Sequence, residues 1–309
     1  MSTRSIKFKL AAFLSAITLA TAAHAEEVRI GFQKYGTLTI LKARGTLEER
    51  LKPLGWTIKW IEFPAGPQLL EGLNVGAIEF GTTGEAPPIF AQAANANLVY
   101  VANEPASPAA EAIVVPKGSP LKSVSELKGK KVALNKGSNV HYLLVKALEK
   151  AGLKYSDIQV VFLPPADARA AFERGAVDAW VIWDPFLAAA EKQLDARVLS
   201  DGKGLVDNHQ FFLAARPFAE KNSKILATIV DELDKNDQWA KQHPQETVKE
   251  IAPLLGLAPE IVHLAASRFS YGIRPISPKI VDAQQKIANT FFDLKLIPQP
   301  IQIKDALAK

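Results

Sequence analysis

Glu27-Val28-Arg29-Ile30-Gly31-Phe32-Gln33-Lys34-Tyr35-Gly36-Thr37 is the stretch that decides the fold. Val28, Ile30 and Phe32 alternate with polar or small neighbours, which is the period of a half-buried strand. The run ends near a glycine and passes through a polar turn into residues 38–54. Apolar positions there recur at helical spacing until Pro53 and Gly55 stop them. A strand that hands over to a helix through a short turn is the repeating unit of an α/β sheet.

The unit repeats. Strands are expected at 56–63, 77–81 and 98–102, with helices at 67–75 and 87–96 between them. A second series follows, with strands at 112–115, 131–134, 159–163, 179–182 and 197–199. Its helices fall at 124–129, 139–151, 167–174 and 186–193. A strand at 209–215 reads as a return to the first series, and helices fill 219–243, 244–255, 259–267 and 278–294. Alternation of this kind implies mostly parallel sheets with helices on both faces. We therefore expect an α/β chain of two lobes, each a mostly parallel sheet flanked by helices. Lobe 1 is discontinuous, 26–111 with 209–309; lobe 2 is 112–208. Two crossings would frame a ligand cleft between them, and the tail through Pro298-Gln299-Pro300 would be a surface strap.

Residues 1–25 read as a secretory leader. Arg4, Lys7 and Lys9 precede an apolar run from Leu10 to Ala20, and Ala23-His24-Ala25 is a small-x-small cleavage site. The run is short of the ~20 residues that a membrane span needs. The chain carries 37 Lys and Arg against 32 Asp and Glu, a net of +5. Loss of the leader's three cations leaves 34 against 32, so no basic block remains for a nucleic acid. There are no cysteines. An exported chain of 284 residues must then be held by its core alone, with no thiol at the cleavage site to carry a lipid.

Ligands of open α/β sheets bind beyond the carboxyl ends of the strands. Three strand-to-helix turns have the chemistry to hold an anion there: 32–37, with Gln33 and Tyr35; 81–88, with Thr83, Gly84 and two prolines; and 135–141, with Ser138, Asn139 and His141. Each aims a helix N-terminus, with its unpaired N–H groups, at the cleft. Trp183, just past a strand, would form an apolar wall, faced by Phe211 or Phe212. Glu85 is at odds with an anion site, and is expected to point away or to pair with a cation such as Arg169. GxSxG, HExxH, Walker A, GxGxxG and CxxC are all missing from the sequence. His141, His209, His243 and His263 lack metal-ligand spacing. Neither catalysis, a cofactor nor a metal is expected.

In these segments the chain resembles the substrate-binding proteins of ABC importers for aliphatic sulfonates, within the nitrate, sulfonate and taurine group. Residues 29–36 carry the resemblance, supported in order by 81–88, 136–141 and 181–186. It implies a type II-like periplasmic binding fold whose lobes close on a small organic anion. It also implies a monomer, free in the periplasm, that delivers its ligand to a membrane permease with its ATPase. Gln33, Thr83, Gly84, Ser138, Asn139 and Trp183 become the site, with Tyr35, His141 and Phe211 beside them. Taurine, nitrate or a thiamine-precursor-like heterocycle are the alternative ligands. An inward Glu85 or Asp184 would favour an ammonium-bearing ligand.

Overall fold

The computed structural model describes residues 25–307. All of the expected leader except Ala25 lies outside that range. Ten strands form two five-stranded sheets. The first contains β1 (Glu26–Phe32), β2 (Trp56–Glu62), β3 (Phe80–Gly84), β4 (Leu98–Asn103) and β10 (Gln210–Ala215), in the order β2-β1-β3-β10-β4. The second contains β5 (Glu111–Val115), β6 (Lys131–Leu134), β7 (Gln159–Phe162), β8 (Ala179–Trp183) and β9 (Arg197–Asp201), in the order β7-β6-β8-β5-β9.

The two orders follow one rule. In each lobe β10 or β5, the strand that arrives from the other lobe, enters antiparallel between the third and fourth parallel strands. Register then brings the cleft ends together: Gln210 opposite Gly84 in lobe 1, and Glu111 opposite Trp183 in lobe 2. These four residues lie at the carboxyl ends of the parallel strands, and both chain crossings start beside them.

Helices cover the sheets by ordinary amphipathic logic. In α5 (Asn139–Lys150), Val140, Leu143, Leu144, Ala147 and Leu148 form one buried stripe. In α12 (Pro278–Asp293), Gln284, Ile287, Ala288 and Phe291 do the same against lobe 1, beside α3 (Gly66–Asn74) and α4 (Pro87–Ala93). On the other face of that sheet, α1 (Gly36–Arg44), α2 (Thr46–Leu51) and α9 (Ser223–Gln242) cover Val28, Ile30 and Phe212. Burying each large apolar side chain contributes roughly 1.5–3 kcal/mol. Such a core holds a cysteine-free chain.

Three elements differ from the sequence reading. The expected helix over 38–54 breaks at Gly45, whose φ of 66° closes α1 with a bond from its N–H to the Leu41 carbonyl. The expected helix over 219–243 breaks at Asn222, into α8 (Arg216–Lys221) and α9. The strand expected at 77–81 lies at 80–84 instead. Glu79 is drawn to the Arg29 guanidinium and backbone N–H, while Thr82 and Thr83 continue the strand between β1 and β10.

The C-terminal helices join the lobes. α10 (Pro244–Leu255) packs on α1, and α11 (Pro259–Ala266) packs Ile261 and Ala265 against Ala188 and Ala189 of α7 (Phe186–Gln193) in lobe 2. Just beyond α11, Arg268 reaches the buried Asp184 at 3.3 Å and Glu191 at 2.5 Å. Ser270 is tied to Ser107 and Ala106 of the first crossing. The tail past Pro300 buries Ile301, Ile303 and Ala306 on lobe 1, and Leu307 bridges to Tyr100. Among the described residues no helix is long and apolar enough to cross a membrane.

Removing Arg268 leaves Asp184 buried without its cation. Arg268→Ala is expected to destabilise the protein by about 3 kcal/mol, seen as a lower midpoint in urea. An unchanged midpoint would show that this ion pair does not hold the segment after α11 to lobe 2.

Candidate functional site

The lobes meet where the end of β3 touches the start of α5. A Cβ placed on Gly84 would lie 2.8 Å from Cγ of Asn139, so only glycine allows this approach. Asn139 is held from behind. Its amide donates to Oε2 of Glu111 and, at 3.0 Å, to Oδ1 of Asn208. Asn208 in turn donates to the Ser107 carbonyl, and its φ of 51° is one that Asn tolerates. The Asn139 side chain therefore joins lobe 2 to both crossings while pressing on lobe 1.

On the lobe 1 side, Gln33 donates to the Thr82 carbonyl at 3.0 Å and to the Tyr35 hydroxyl at 3.3 Å. Tyr35 passes the chain on to Gln210 at 2.8 Å, and its ring stacks on Phe269 at 6.0 Å. Thr83 donates to the Gly84 carbonyl, and Ser138 to the Asn135 carbonyl. The side-chain donors are thus committed locally. The backbone is not. Neither α1 nor α5 has a side-chain cap, and the N–H groups of Asn139 and Val140 make no backbone hydrogen bond. These N–H groups, backed by the partial positive charge of a helix N-terminus, are what the site offers an anion.

Gln33, Tyr35, Thr83, Gly84, Ser138 and Asn139 are all buried at or beside this contact. Trp183 closes its lobe 2 edge, opposite Glu111 in register and edge-on to Phe186. Two expected members are used differently. His141 is fully buried among Phe90, Phe162 and Phe291. Its Nδ1 accepts the Gly137 N–H and its Nε2 lies 2.7 Å from the Tyr155 hydroxyl, so neither ring nitrogen is left for a ligand. Burial, helped by Lys136, pushes its pKa down to about 4. Phe211 turns into lobe 1, edge-on to Tyr100, and Phe212 stacks on Phe80 across the sheet. Neither packs on Trp183.

The expected pair of Glu85 with Arg169 is not formed; Arg169 bonds Glu173 one helical turn along. Instead Glu85 is 2% exposed, with Oε2 accepting the His209 N–H at 3.1 Å and Oε1 unpartnered. Glu111, at 0%, also has an unpartnered Oε1. Burial pushes the Glu85 pKa up to about 8 against the His209 bond, with Asp207 adding to the rise. Burial and then Glu85 itself hold Glu111 well above the carboxylate range. A second buried pair, Glu104 and Asp237, shares the hydroxyl of Thr37. One hydroxyl has one proton to donate, so one of these carboxyls must carry its own. Glu111, Asn208 and Gln210 were missed in the sequence, although a glutamate opening the apolar strand Glu111–Val115 is a visible anomaly.

The family described as NMT1/THI5 like matches residues 61–247. The chain belongs to that family. Within reach of it, an Escherichia coli (strain K12) chain named for binding aliphatic sulfonates is 45% identical over 305 residues, 98% of this chain and 95% of that one. Among solved structures, the alkanesulfonate-binding protein SsuA of Xanthomonas axonopodis pv. citri, bound to MOPS, superposes with a TM-score of 0.89. Identity is 40% over 93% of this chain and 99% of that one. The periplasmic aliphatic sulphonate binding protein SsuA of Escherichia coli gives 0.83, with 44% identity over 92% of each. The chain thus has the two-lobed fold of periplasmic binding proteins.

For this family member two outcomes are expected. Asn139→Pro removes a cleft-facing N–H together with the side chain, and Asn139→Ala removes the side chain alone. The proline variant should bind anions at least about tenfold more weakly than the alanine variant, as expected for a lost charge-assisted bond. Equal affinities would take the α5 N-terminus out of the site. The second outcome concerns pH. Glu85 and Asp184, the latter raised by burial to about 7 despite Arg268, hold protons more readily folded than unfolded. Their stabilisation is complete below the unfolded carboxylate range and is lost as pH rises through about 7 to 8. His141 acts the opposite way, costing stability only as pH falls from 6.5 toward about 4. The melting temperature should therefore be lower at about pH 8.5 than at about pH 6. A higher value at the alkaline end would contradict the buried neutral carboxyls.

Proposed function

We propose that this chain is the periplasmic receptor of an ABC importer, and that it captures aliphatic sulfonates between its lobes. The observation that carries the reading is the contact of Gly84 with Asn139. It brings the uncapped α5 N-terminus to the carboxyl end of β3, inside a buried interlobe site. A sulfonate is always ionised and has three acceptor oxygens, which matches a set of convergent N–H donors. Glu85 and Glu111 weigh against dianions such as sulfate, because each further negative charge beside a buried carboxyl is costly. Similarity to sulfonate-binding relatives over nearly the whole chain supports the same reading.

In this reading Gln33, Tyr35, Thr83, Gly84, Ser138 and Asn139 surround the head group, and Trp183 walls the tail. Residues 1–25 direct export and are removed. The mature monomer then meets a membrane permease driven by an ATPase, and lobe closure on the ligand is the signal it presents.

The test is a thermal-shift series with the mature protein, using C1 to C8 alkanesulfonates, nitrate, sulfate and matching carboxylates. A ligand at about a hundred times its dissociation constant should add ~2.7 kcal/mol of stability. The expected result is a shift for sulfonates alone that grows with tail length and loses that growth in Trp183→Ala. Equal shifts for nitrate and carboxylates, or none for any sulfonate, would reject the assignment.

A further inference from the structure

The lobes meet a second time at the first turn of α5. From lobe 1, Phe90 of α4 lies face to face with the His141 ring at 6.1 Å, and Phe291 of α12 reaches His141 at 5.6 Å and Tyr142 at 5.9 Å. Phe90 and Phe291 are 4.9 Å apart, so they arrive as one unit. Lobe 2 supplies the other side, with Phe162 of β7 edge-on to His141 and Tyr155 beside it. The place of this seam follows from the sheet orders. The chain crosses between lobes at β4 and β10 in lobe 1 and at β5 and β9 in lobe 2, and each pair lies at one edge of its sheet. In lobe 2 the opposite edge is formed by β6, which leads into the turn before His141, and by β7. A strand spacing of about 4.8 Å puts β7 about 14 Å from β5. Rotation of the lobes about the crossings therefore parts this seam.

Within the seam the His141 ring holds one proton. Its Nδ1 accepts the Gly137 N–H at 3.3 Å, so the proton is on Nε2, which donates to the Tyr155 hydroxyl at 2.7 Å. A second proton would set an Nδ1–H against the Gly137 N–H. Neither group can withdraw. Phe90 covers the imidazole, and it also presses on Gly137, where a Cβ would lie 3.3 Å from Phe90 Cγ. The surroundings offer no counter-charge. Phe90 of α4, Phe291 of α12 and Phe162 of β7 carry none. Tyr142 of α5 and Tyr155 are phenols that burial keeps protonated, and Lys136, in the turn before α5, adds repulsion. Ring faces attract a cation, but the loss of water outweighs them: burial first, and then Lys136, pushes the His141 pKa down to about 4.

We propose that this seam is the latch that holds the lobes together, and that His141, which offers no atom to the ligand, makes capture sensitive to pH. The inference rests on the reading above in taking the ligand to be captured between closing lobes. With Phe90 and Phe291 withdrawn, His141 keeps Tyr155 and Phe162 as neighbours, and Phe162 is already 44% exposed. Water then reaches Nδ1, and the ring takes a proton in the ordinary histidine range. Closure expels that proton. Below about pH 6.5, capture is therefore accompanied by proton release, and affinity falls as pH falls. Phe90, Phe291 and His141 are positioning residues: they act through the lobes and leave the N–H donors of the site unchanged. Glu85 and Glu111, at the Gly84 contact, are raised by burial, so any proton they gain on closure works with the opposite sign. The part played by His141 is read as a difference against a variant that does not titrate there.

The test measures butane-1-sulfonate binding at about pH 8 and about pH 5.5, in sulfonate-free buffers, for the wild type and His141→Asn. The asparagine Oδ1 can replace Nδ1 as acceptor of the Gly137 N–H, and it does not titrate. The loss of affinity between the two pH values should be about tenfold greater in the wild type, as for a group moved from 6.5 to about 4 on closure. Phe90→Leu should release butane-1-sulfonate and octane-1-sulfonate faster by the same factor, roughly fivefold for one lost aromatic pair, because a latch does not read the tail. In the wild type alone, the His141 ring resonance followed by NMR should titrate near its ordinary midpoint without ligand and near about 4 with it, so the inference does not depend on a variant folding. Equal pH effects in wild type and His141→Asn, a midpoint that ligand does not move, or unchanged release from Phe90→Leu would overturn the inference and leave the sulfonate reading in place. Failure of both sulfonates to bind the wild type at either pH would overturn the two together.

Discussion

The meeting of Asn139 with the bare backbone of Gly84 is the constraint on which the cleft depends. A methyl group at position 84 would collide with Asn139 Cβ, Cγ and Oδ1 at once, all below 3 Å. Asn139 cannot yield, because Glu111 and Asn208 hold its amide from two directions. Glycine serves here for closeness of approach, since its φ is not among the positive values that the chain adopts elsewhere. The position of α5, the registration of both crossings and the meeting of two strand ends all follow from this contact.

Around it the protein tolerates an unusual number of buried carboxyls. Glu85, Glu111, Glu104 and Asp237 have no buried cation beside them, and each is pushed toward its neutral form mainly by loss of water. Neutral acids make the closed interior less hostile to an anion than four fixed charges would be. Burial of the residues around it means that each backbone N–H at a helix start acts in a low dielectric, where its attraction for an anion is stronger. Asp184 is raised by burial as well, but it has a cation beside it, sharing Arg268 with Glu191 where α7 meets the segment after α11.

Much of this was legible in the residues. The helix over 244–255 matches its expected limits because Pro244 and Gly256 mark its ends, and Pro185 marks the start of the helix over 186–193. The alternation of strand and helix gave two lobes, since periodicity depends on local pattern alone. Elements fixed by distant partners were not legible. β3 slides by three residues because Arg29 claims Glu79, and because β1 pairs with Phe80 and Gly81 while β10 pairs with Thr82 and Thr83. Gly45 and Asn222 break helices whose apolar pattern runs through them. At the site, the three turns were visible as turns, but the sequence does not show that Ser138 and Thr83 spend their hydroxyls on nearby carbonyls. Nor does it show His141 enclosed by aromatic rings, because enclosure depends on Phe90 and Phe291 from the other lobe.

The insertion of β10 between β3 and β4 bears on the order in which the chain can be assembled. The sheet of lobe 2 draws on one continuous stretch, β5 to β9, and is complete once Asp201 has emerged. The sheet of lobe 1 has a gap between β3 and its edge strand β4 until Gln210–Ala215 arrives, and that edge is finished only when Leu307 reaches Tyr100. During vectorial emergence the later lobe can therefore fold first. The earlier one can pair β2, β1 and β3 among themselves, but β4 has no neighbour in its sheet until β10 arrives, so the lobe that starts first is the one completed last.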